Sequence, residues 1–318
     1  MKHVTAFNFT RAESDLYFRN IIKRNGGLGV LVHDRTPTPI DEQVVVRMNR
    51  DTFYSSAVHD LAAGPVTITL QEKPDGRFQS VQATSQDHYA PLVFYEGTRT
   101  VTREQVGTRY VLLSIRTLVN PGDDADVQAA HAAQDGIEIE QATPGSFEIP
   151  EWDEESLATV REALETLAAQ GGVSDKIRMG TAGEVDTLAH LMATATGWGL
   201  NPWNAAVYFT GYPTPNDAST VHQMILRDVP VDGFWSISVY NEDGYFEKND
   251  LDAYSLNNFT AQPEPDGSIR IQFGGCYGGH PNCLPITDGW NYSLRLYRPK
   301  AEALDGRWTA PTVEVVDS

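Results

Sequence analysis

Residues 234–240 have the sequence Phe-Trp-Ser-Ile-Ser-Val-Tyr, in which apolar and small polar side chains alternate. Successive side chains of a β-strand point to opposite faces of a sheet, so this stretch has two chemically different faces. One face carries Trp235, Ile237 and Val239, and the other carries Phe234, Ser236, Ser238 and Tyr240. The pattern predicts a strand whose first face lies in a hydrophobic core. The second, mixed face suits the wall of a cavity.

Strand-like patterns recur before and after this stretch. We predict strands at residues 44–54, 66–70, 78–83, 110–119, 137–139, 224–226, 269–273 and 292–297. Pro74-Asp75-Gly76 predicts a turn that joins 66–70 to 78–83 as a β-hairpin, and Asp-Gly pairs recur at 243–244 and 266–267. Strands do not alternate regularly with helices, which favours antiparallel sandwiches over a doubly wound parallel sheet.

Helical periodicity is confined to a few segments. We predict helices at residues 10–25, at 123–134, from an opening at 150–153 through Leu167, and at 183–196. Gly26 follows the first helix and Gly171-Gly172 follows the third, as is typical of helix C-termini. The sequence therefore predicts a mainly β protein with an α insert. A chain of 318 residues also exceeds the usual size of one compact core, so two subdomains are expected.

The charge of the chain limits its partners. It has 43 acidic and 24 basic side chains, a formal net charge of −19. This charge repels phosphate backbones and anionic lipids, so we expect neither nucleic acid nor membrane as a partner. The N-terminal residues lack the apolar run of a signal peptide, and no segment has the length of a membrane span. We therefore expect a soluble, cytoplasmic protein.

Two parts of the chain resemble known families. Asn49-Arg50-Asp51-Thr52-Phe53-Tyr54-Ser55-Ser56, followed by Asp60-Leu61 and Gly64-Pro65-Val66, resembles the family called domain of unknown function 1254. Val231-Asp232-Gly233-Phe234-Trp235-Ser236, Tyr254-Ser255-Leu256-Asn257, Asn282-Cys283-Leu284-Pro285 and Leu294-Arg295-Leu296-Tyr297-Arg298-Pro299 resemble domain of unknown function 1214. The resemblance covers about residues 40–150 and 215–315, and long irregular matches are more specific than a short motif.

The resemblance implies two β-sandwich lobes of jelly-roll type and little about activity. Combined with the strand pattern, it predicts two antiparallel β-sandwich (jelly-roll-like) lobes joined by a helical segment. We place an N-terminal helix and extended linker at 1–40 and the first lobe at 41–150. The helical insert then covers 151–205, and the second lobe covers 206–318.

Several common catalytic motifs are missing from the sequence. There is no G-x-S-x-G, no G-x-G-x-x-G after a strand, no G-x-x-x-x-G-K-[ST] and no H-E-x-x-H. An α/β-hydrolase mechanism, nicotinamide cofactors, nucleotide hydrolysis and zincin-type proteolysis therefore lose support. We expect no cofactor and no metal.

The most unusual predicted strand contains Asn49-Arg50-Asp51-Thr52, four polar residues that follow an apolar run. Burying such residues unpaired is costly, so they should lie at a sheet end or line a wet cavity. In the functional interpretation Asp51 is a general acid or base and Arg50 orients an anionic or hydroxylated ligand. In the structural interpretation Arg50 and Asp51 form an ion pair that fixes the interface between the lobes. The structural interpretation is the more common outcome for such pairs.

His88 is the histidine best placed for proton transfer, with Asp87 or Asp51 as the group that orients it. A single histidine is more often a structural, hydrogen-bonded residue, and that alternative stays open. His59 and His131 are weaker candidates.

The candidate ligand-binding residues are aromatic, amide and other polar side chains. A sugar-like or polar organic ligand would stack on the rings and bond to the amides, although each aromatic side chain could instead pack in the core. The predicted substrate-binding set is Asn49, Arg50, Thr52, Tyr54, Tyr89, Tyr240, Tyr254, Asn257 and Trp290.

Cys276 and Cys283 flank a glycine-rich segment that contains His280. The pair could be a short-range disulfide or two reduced structural cysteines, and both readings rank above a metal site that also uses His280.

Two functions are consistent with these residues. The first is a hydrolase-like enzyme that acts on a polar small-molecule or glycoside-like substrate in a cavity of the β-lobes, with Asp51 and His88 as catalytic residues. The alternative is a non-catalytic ligand-binding or assembly protein. A homo-oligomer is compatible with either, because sheet edges must be covered.

Overall fold

The structure of the chain is a computed structural model that describes residues 1–43, 46–73, 75–171 and 178–316. The chain divides into two compact units. Unit 1 comprises Met1–Arg35, Phe53–Leu118 and Val127–Trp203. Unit 2 comprises Thr36–Thr52, Val119–Asp126 and Asn204–Ser318.

Unit 1 contains two sheets that share one hydrophobic core. The first has the strand order β1-β2-β7-β4-β5 and the second has the order β6-β3-β8. The pairs β1–β2, β4–β7, β4–β5, β3–β6 and β3–β8 are antiparallel. The strands are β1 (Val32–His33), β2 (Thr52–Asp60), β3 (Val66–Leu70), β4 (Gln79–Ser85), β5 (Leu92–Phe94), β6 (Gly97–Val101), β7 (Tyr110–Leu118) and β8 (Ile137–Glu140). Apolar side chains from both sheets form a single buried cluster, as in a β-sandwich.

The predicted hairpin between residues 66–70 and 78–83 is wrong. Both strands exist, but β3 lies in the three-stranded sheet and β4 in the five-stranded sheet. Ile68 and Leu70 on β3 meet Val81 and Ala83 on β4 in the same core. Burial of these apolar faces against each other therefore favours separate sheets over a shared ladder. Pro74, part of the predicted turn, lies outside the described residues.

Three helices of unit 1, α1 (Phe9–Asn25), α4 (Glu154–Ala168) and α5 (Thr187–Thr196), pack together. α1 (Phe9–Asn25) ends at Gly26, whose φ of 82° is left-handed, as the sequence predicted. α1, α4 and α5 pack on one another through an apolar cluster. The other α-helices of the described chain are α2 (Arg103–Val106), α3 (Asp124–Asp135) and α6 (Ala301–Leu304), and α6 belongs to unit 2.

Capping side chains set where two of these helices begin. Asp153 accepts from the backbone N–H of Ser156 at the start of α4. Asp186 accepts from the N–H groups of Leu188 and Ala189, so α5 begins later than the predicted residue 183. Gly172, the predicted end of the third helix, lies outside the described residues.

Unit 2 contains a second pair of packed sheets. Their strand orders are β12-β11-β15-β9 and β14-β13-β10-β16. The strands are β9 (Ala206–Gly211), β10 (His222–Leu226), β11 (Val231–Tyr240), β12 (Ser255–Asn257), β13 (Ile269–Phe273), β14 (Cys283–Leu284), β15 (Asn291–Pro299) and β16 (Glu314–Val315). The β13–β14 pair is parallel, and the other pairs are antiparallel.

The two faces of β11 have the predicted division. Trp235, Ile237 and Val239 belong to the apolar core of unit 2, together with Ile271 and Phe273 from the facing sheet. The fold class is therefore confirmed as mainly β with helices, in antiparallel sheets that pack as sandwiches. The domain boundaries drawn from the sequence remain a prediction.

The polar segment before β2 is not the strand that the sequence predicted. Val46 and Arg47 lie in a turn, and regular strand structure begins at Thr52. Asn49 accepts from the backbone N–H of Asp51 at 2.8 Å and donates to Thr52 Oγ1 at 2.9 Å. Such local side-chain bonds compete with a strand ladder, which explains the irregular backbone. Val44 and Val45 lie outside the described residues.

Cys276 and Cys283 form a disulfide bond with a Cα–Cα distance of 5.4 Å. Disulfides are uncommon in cytoplasmic proteins, so the cytoplasmic location expected from the sequence remains a prediction. Within the described ranges, no helix has the length and apolar character needed to span a bilayer.

Candidate functional site

The sheet β12-β11-β15-β9 of unit 2 has a second face, opposite its apolar core, that consists of polar side chains. We call it the polar face. Strand register aligns Asn257, Ser236 and Arg295 in one row across β12, β11 and β15. A second row consists of Ser255, Ser238, Ser293 and Thr210, and Tyr240 is opposite Asn291 beyond it. Directly opposed side chains interact, so each row is a connected set of hydroxyl, amide and guanidinium groups.

The segment before β2 contacts this face at three points. Tyr240 Oη donates to the carbonyl of Met48 at 2.9 Å, and Arg295 Nη2 donates to the carbonyl of Arg47 at 2.7 Å. Asn257 Nδ2 donates to Asp51 Oδ1 at 3.2 Å. The local bonds of Asn49 thus hold Asp51 where its carboxylate reaches the first row.

Asp51 is only 2% exposed and is incompletely hydrogen-bonded. Its Oδ1 accepts from Asn257 and, at 3.5 Å, from Ser255 Oγ. Neither Asp51 Oδ2 nor Ser236 Oγ has a hydrogen-bond partner of ordinary length among the residues that the structure describes. Burial raises the pKa of Asp51, although a longer hydrogen-bonding interaction with the Ser236 side chain and the charge of Arg295 act in the opposite direction.

Arg295 is 3% exposed and remains charged. It donates to Ser238 Oγ at 3.0 Å through Nη1 and to Tyr240 Oη at 2.6 Å through Nη2. Burial alone would lower its pKa, but the neighbouring Tyr240, Tyr297 and Asp51 raise the pKa of Arg295 overall. The polar face therefore combines a permanent cation with a carboxyl group whose proton affinity is increased.

Arg50 lies beside this site without pairing to Asp51. Its Nη1 donates to the carbonyl of Thr38 at 2.5 Å, and its guanidinium lies 5.4 Å from the centre of the Tyr254 ring. Desolvation lowers the pKa of Arg50. Among the described residues no Arg50–Asp51 salt bridge is formed, so the predicted ion pair is not observed.

His88 lies in unit 1, with both ring nitrogens engaged. Gly199 N–H donates to Nε2 at 2.8 Å, and Nδ1 lies 3.0 Å from Thr194 Oγ1. Because the Thr194 hydroxyl donates to the carbonyl of His190, it accepts from the Nδ1–H of His88. Burial and the neighbouring His190 hold the pKa of His88 well below its ordinary value. This arrangement fixes a neutral imidazole, and its predicted role in proton transfer remains a prediction.

The remaining predicted residues occupy different surroundings. Tyr89 stacks on His190 in unit 1 at 4.6 Å, and Tyr54 of β2 lies 5.5 Å from the guanidinium of Arg116. Trp290 is in the apolar core of unit 2. The structure brings four of the predicted residues together at the polar face: Asn49, Asp51, Tyr240 and Asn257. Arg50 and Tyr254 lie next to them. Thr52 is the first residue of β2.

Sequence reasoning missed Arg295, the central cation of the polar face. A signal for it was present in residues 291–297, which read Asn-Tyr-Ser-Leu-Arg-Leu-Tyr. Period-two alternation places Arg295 on the same face as Asn291 and Ser293 and opposite the leucines. Ser255, the second donor to Asp51, gave no comparable signal.

The described part of the chain contains no group of three or more histidine, cysteine, aspartate and glutamate side chains arranged to hold a metal ion.

The fold and this site define a mainly β protein that has two pairs of packed sheets and a buried polar sheet face in unit 2. Comparison with protein families gives two matches. Residues 28–103 match the family described as protein of unknown function DUF1254, and residues 211–301 match protein of unknown function DUF1214. Both predicted resemblances are thus confirmed as matches in the predicted order, with bounds that differ from the predicted 40–150 and 215–315.

Solved structures share the fold. The VPA0106 protein from Vibrio parahaemolyticus is similar with a TM-score of 0.74 and 17% identity, over 98% of each chain. An uncharacterised protein from Burkholderia cenocepacia has a TM-score of 0.55 and 12% identity, over 98% of this chain and 88% of that one. At these identities the likeness shows the fold alone. No curated protein sequence matches the chain.

Proposed function

We propose that the chain binds a small, hydroxyl-bearing organic molecule through Asp51 on the polar face of unit 2. The observation that carries this proposal is the pair of buried oxygens Asp51 Oδ2 and Ser236 Oγ, which interact with each other but form no hydrogen bond of ordinary length. Buried polar atoms are nearly always hydrogen-bonded in native proteins, so a pair without a bond of ordinary length favours a further group that bonds to both atoms.

A hydroxyl group matches this pair chemically. It can donate to Asp51 Oδ2 and accept from Ser236 Oγ at the same time. Tyr254 and Phe246 form an edge-to-face pair beside Arg50, and Tyr240 packs on Phe246 at 4.6 Å. A sugar or polyol has both apolar and hydroxyl-bearing faces. Aromatic side chains next to the oxygens of Asp51 and Ser236 would therefore suit such a ligand.

A hydrolase-like reaction at the same carboxyl is the second candidate. It is favoured by the pKa of Asp51, which burial raises toward the range that a general acid needs. A glycoside would then receive its leaving-group proton from Asp51, while Arg295 balances the charge that remains. An assembly role without a small ligand is the outcome to expect if neither candidate finds support.

The test uses two matched buried carboxyls. Asp51→Asn alters the proposed site, whereas Asp15→Asn alters a buried carboxyl of unit 1 whose oxygens accept from Gln86 Nε2 and Trp152 Nε1. Both proteins and the wild type are screened by thermal shift against small neutral sugars and polyols, and by chromogenic glycosides for turnover. We expect a sugar or polyol to raise the melting temperature of wild type and Asp15→Asn relative to their own baselines, and not that of Asp51→Asn.

Turnover of a glycoside that is lost only in Asp51→Asn would favour the hydrolase. A panel in which no compound shifts any of the proteins would remove support for a small-molecule site.

A further inference from the structure

Seven of the eight sheet edges in the described chain are protected against pairing with another strand. The four sheets end in β1, β5, β6, β8, β9, β12, β14 and β16. Five of these strands, β1, β5, β12, β14 and β16, have three residues or fewer. Of the longer ones, β6 contains Arg99, and β8 contains Glu138 and Glu140. Short length and charged side chains are the usual devices that keep an edge from pairing.

Strand β9 has neither device. It is six residues long, the longest of the edge strands, and reads Ala-Val-Tyr-Phe-Thr-Gly, without charge or proline. It is the last strand of its sheet and pairs with β15, and residues 207–211 are half-buried or exposed. Apart from that ladder, Val207, Phe209, Thr210 and Gly211 form no backbone–backbone hydrogen bond within the described ranges. The outer edge of β9 therefore offers backbone donors and acceptors to another strand.

The two faces of β9 have different surroundings. Val207 and Phe209 pack against the apolar core of unit 2. Tyr208 and Thr210 alternate with them and lie on the polar face, where Tyr208 is opposite Arg295 of β15. Directly opposed side chains of paired strands share a face and interact. A strand that extends this sheet should therefore present apolar side chains next to Val207 and Phe209.

A second copy of β9 meets this requirement. Two antiparallel copies related by a two-fold axis place residues of the same face opposite each other. With Tyr208 at the axis, Val207 lies opposite Phe209 of the second copy, an aromatic–β-branched pair of the kind that stabilises antiparallel strands. With Phe209 at the axis, Val207 would lie opposite Gly211, which has no side chain to pack against it. The first register is therefore the favoured one.

The net charge of the chain restricts how two copies can approach. At −19, the chain as a whole repels a second copy. Strand β9 itself brings no charged side chain to the pair. At its end, the guanidinium of Arg47 lies 5.9 Å from the ring centre of Tyr212, the residue after the strand. An uncharged edge with a cation beside it is thus suited to contact between two acidic molecules.

We propose that the chain forms a homodimer in which the β9 strands of two copies pair antiparallel, with Tyr208 at the two-fold axis. The two four-stranded sheets then form one sheet of eight strands. This contact does not depend on the ligand proposed for Asp51. Asp51 bonds to Asn257 of β12, which is at the opposite edge of the sheet from β9.

Sedimentation equilibrium of the full chain over a dilution series tests this contact. We expect the wild type to have twice the 35.1 kDa mass of one chain and to dissociate on dilution. Tyr208→Lys should weaken the dimer by more than about tenfold, because two cations would then lie opposite each other across the pair. Thr210→Lys alters an exposed position and should also weaken the dimer, since a lysine on an edge strand opposes pairing. Thr98→Lys, in the edge strand β6, is the matched control and should leave the dimer intact.

Exchange of charge at the axis tests the register. Tyr208→Glu should be monomeric by itself, and an equal mixture of Tyr208→Lys and Tyr208→Glu should recover the dimer, because opposite charges then face each other. Far-UV circular dichroism establishes that each variant is folded, and Thr210→Lys decides the outcome if the Tyr208 variants do not fold. A wild type that stays monomeric at every concentration would overturn the proposal. So would a dimer that these lysine substitutions leave unchanged, or a mixture that stays monomeric.

Discussion

Asp51 and Arg295 interact on the polar face of unit 2 without forming a direct salt bridge between them in the described chain. The carboxylate accepts from Asn257 and Ser255, and the guanidinium donates to Ser238, Tyr240 and a backbone carbonyl. Each charge therefore depends on neutral partners as well as on the other charge. Removing either one should disturb the row that connects them.

Arg295→Met should lower the free energy of unfolding by about 3–5 kcal/mol, the usual effect of leaving buried polar partners and an opposite charge unmatched. Urea denaturation at neutral pH measures this change. Arg227→Met is the matched control, because Arg227 forms an exposed salt bridge with Asp266. This substitution should change the free energy of unfolding by less than about 1 kcal/mol. Equal effects of the two substitutions would contradict a buried electrostatic role for Arg295.

Asp51→Asn should change stability in a pH-dependent way. Because the folded-state pKa of Asp51 is raised, its contribution to stability is fully present below the unfolded-state pKa and is lost as pH rises through the folded-state pKa. Asparagine does not titrate, so the variant should gain stability relative to wild type as pH rises from about 4 toward neutrality. Urea denaturation at several pH values measures the difference in the free energy of unfolding between the variant and the wild type. A difference that stays constant across this pH range would contradict a raised folded-state pKa for Asp51.

His88→Asn should flatten the acid limb of the stability profile. The pKa of His88 is depressed in the fold, so its contribution is present above the unfolded-state value of 6.5 and is lost as pH falls toward the folded-state value. Asparagine tolerates the left-handed backbone at this position, where φ is 60°. It loses the acceptor for Gly199 N–H, which should cost about 1–3 kcal/mol at neutral pH.

Thermal or urea unfolding between acid and neutral pH checks this prediction. His3→Asn is the control, since the His3 side chain is largely exposed. Burial also lowers the pKa of His59 and His33, so some pH dependence of the same sign should persist in His88→Asn. A variant with the full wild-type pH dependence would show that His88 is not the buried neutral group described above.

The double variant Cys276→Ser and Cys283→Ser should lower the free energy of unfolding by about 2–3 kcal/mol, the loop-closure effect of a short disulfide loop. The two residues are separated by 7 positions. Denaturation with and without reductant measures this effect, and reductant should destabilise only the wild type. Insensitivity of the wild type to reductant would indicate that the bond does not contribute to stability.

The sequence by itself determined which segments form strands and which strand face is apolar. The alternation in residues 234–240 placed Trp235, Ile237 and Val239 in the core, because period-two patterning and burial are properties of one strand and its nearest layer. Asp51, Tyr240 and Asn257 were identified as polar groups suited to a cavity for the same local reason. The family resemblance added the pairing of the two segments.

Only the tertiary structure decided how these pieces combine. It assigned β3 and β4 to different sheets, since pairing depends on which apolar faces meet in the core and not on the turn between them. It also placed Asp51 against Arg295, which is 244 positions later in the chain, while His88 found its partners Thr194 and Gly199 in unit 1. Contacts between residues so distant in sequence follow from the packing of whole sheets, which no local pattern of side chains specifies.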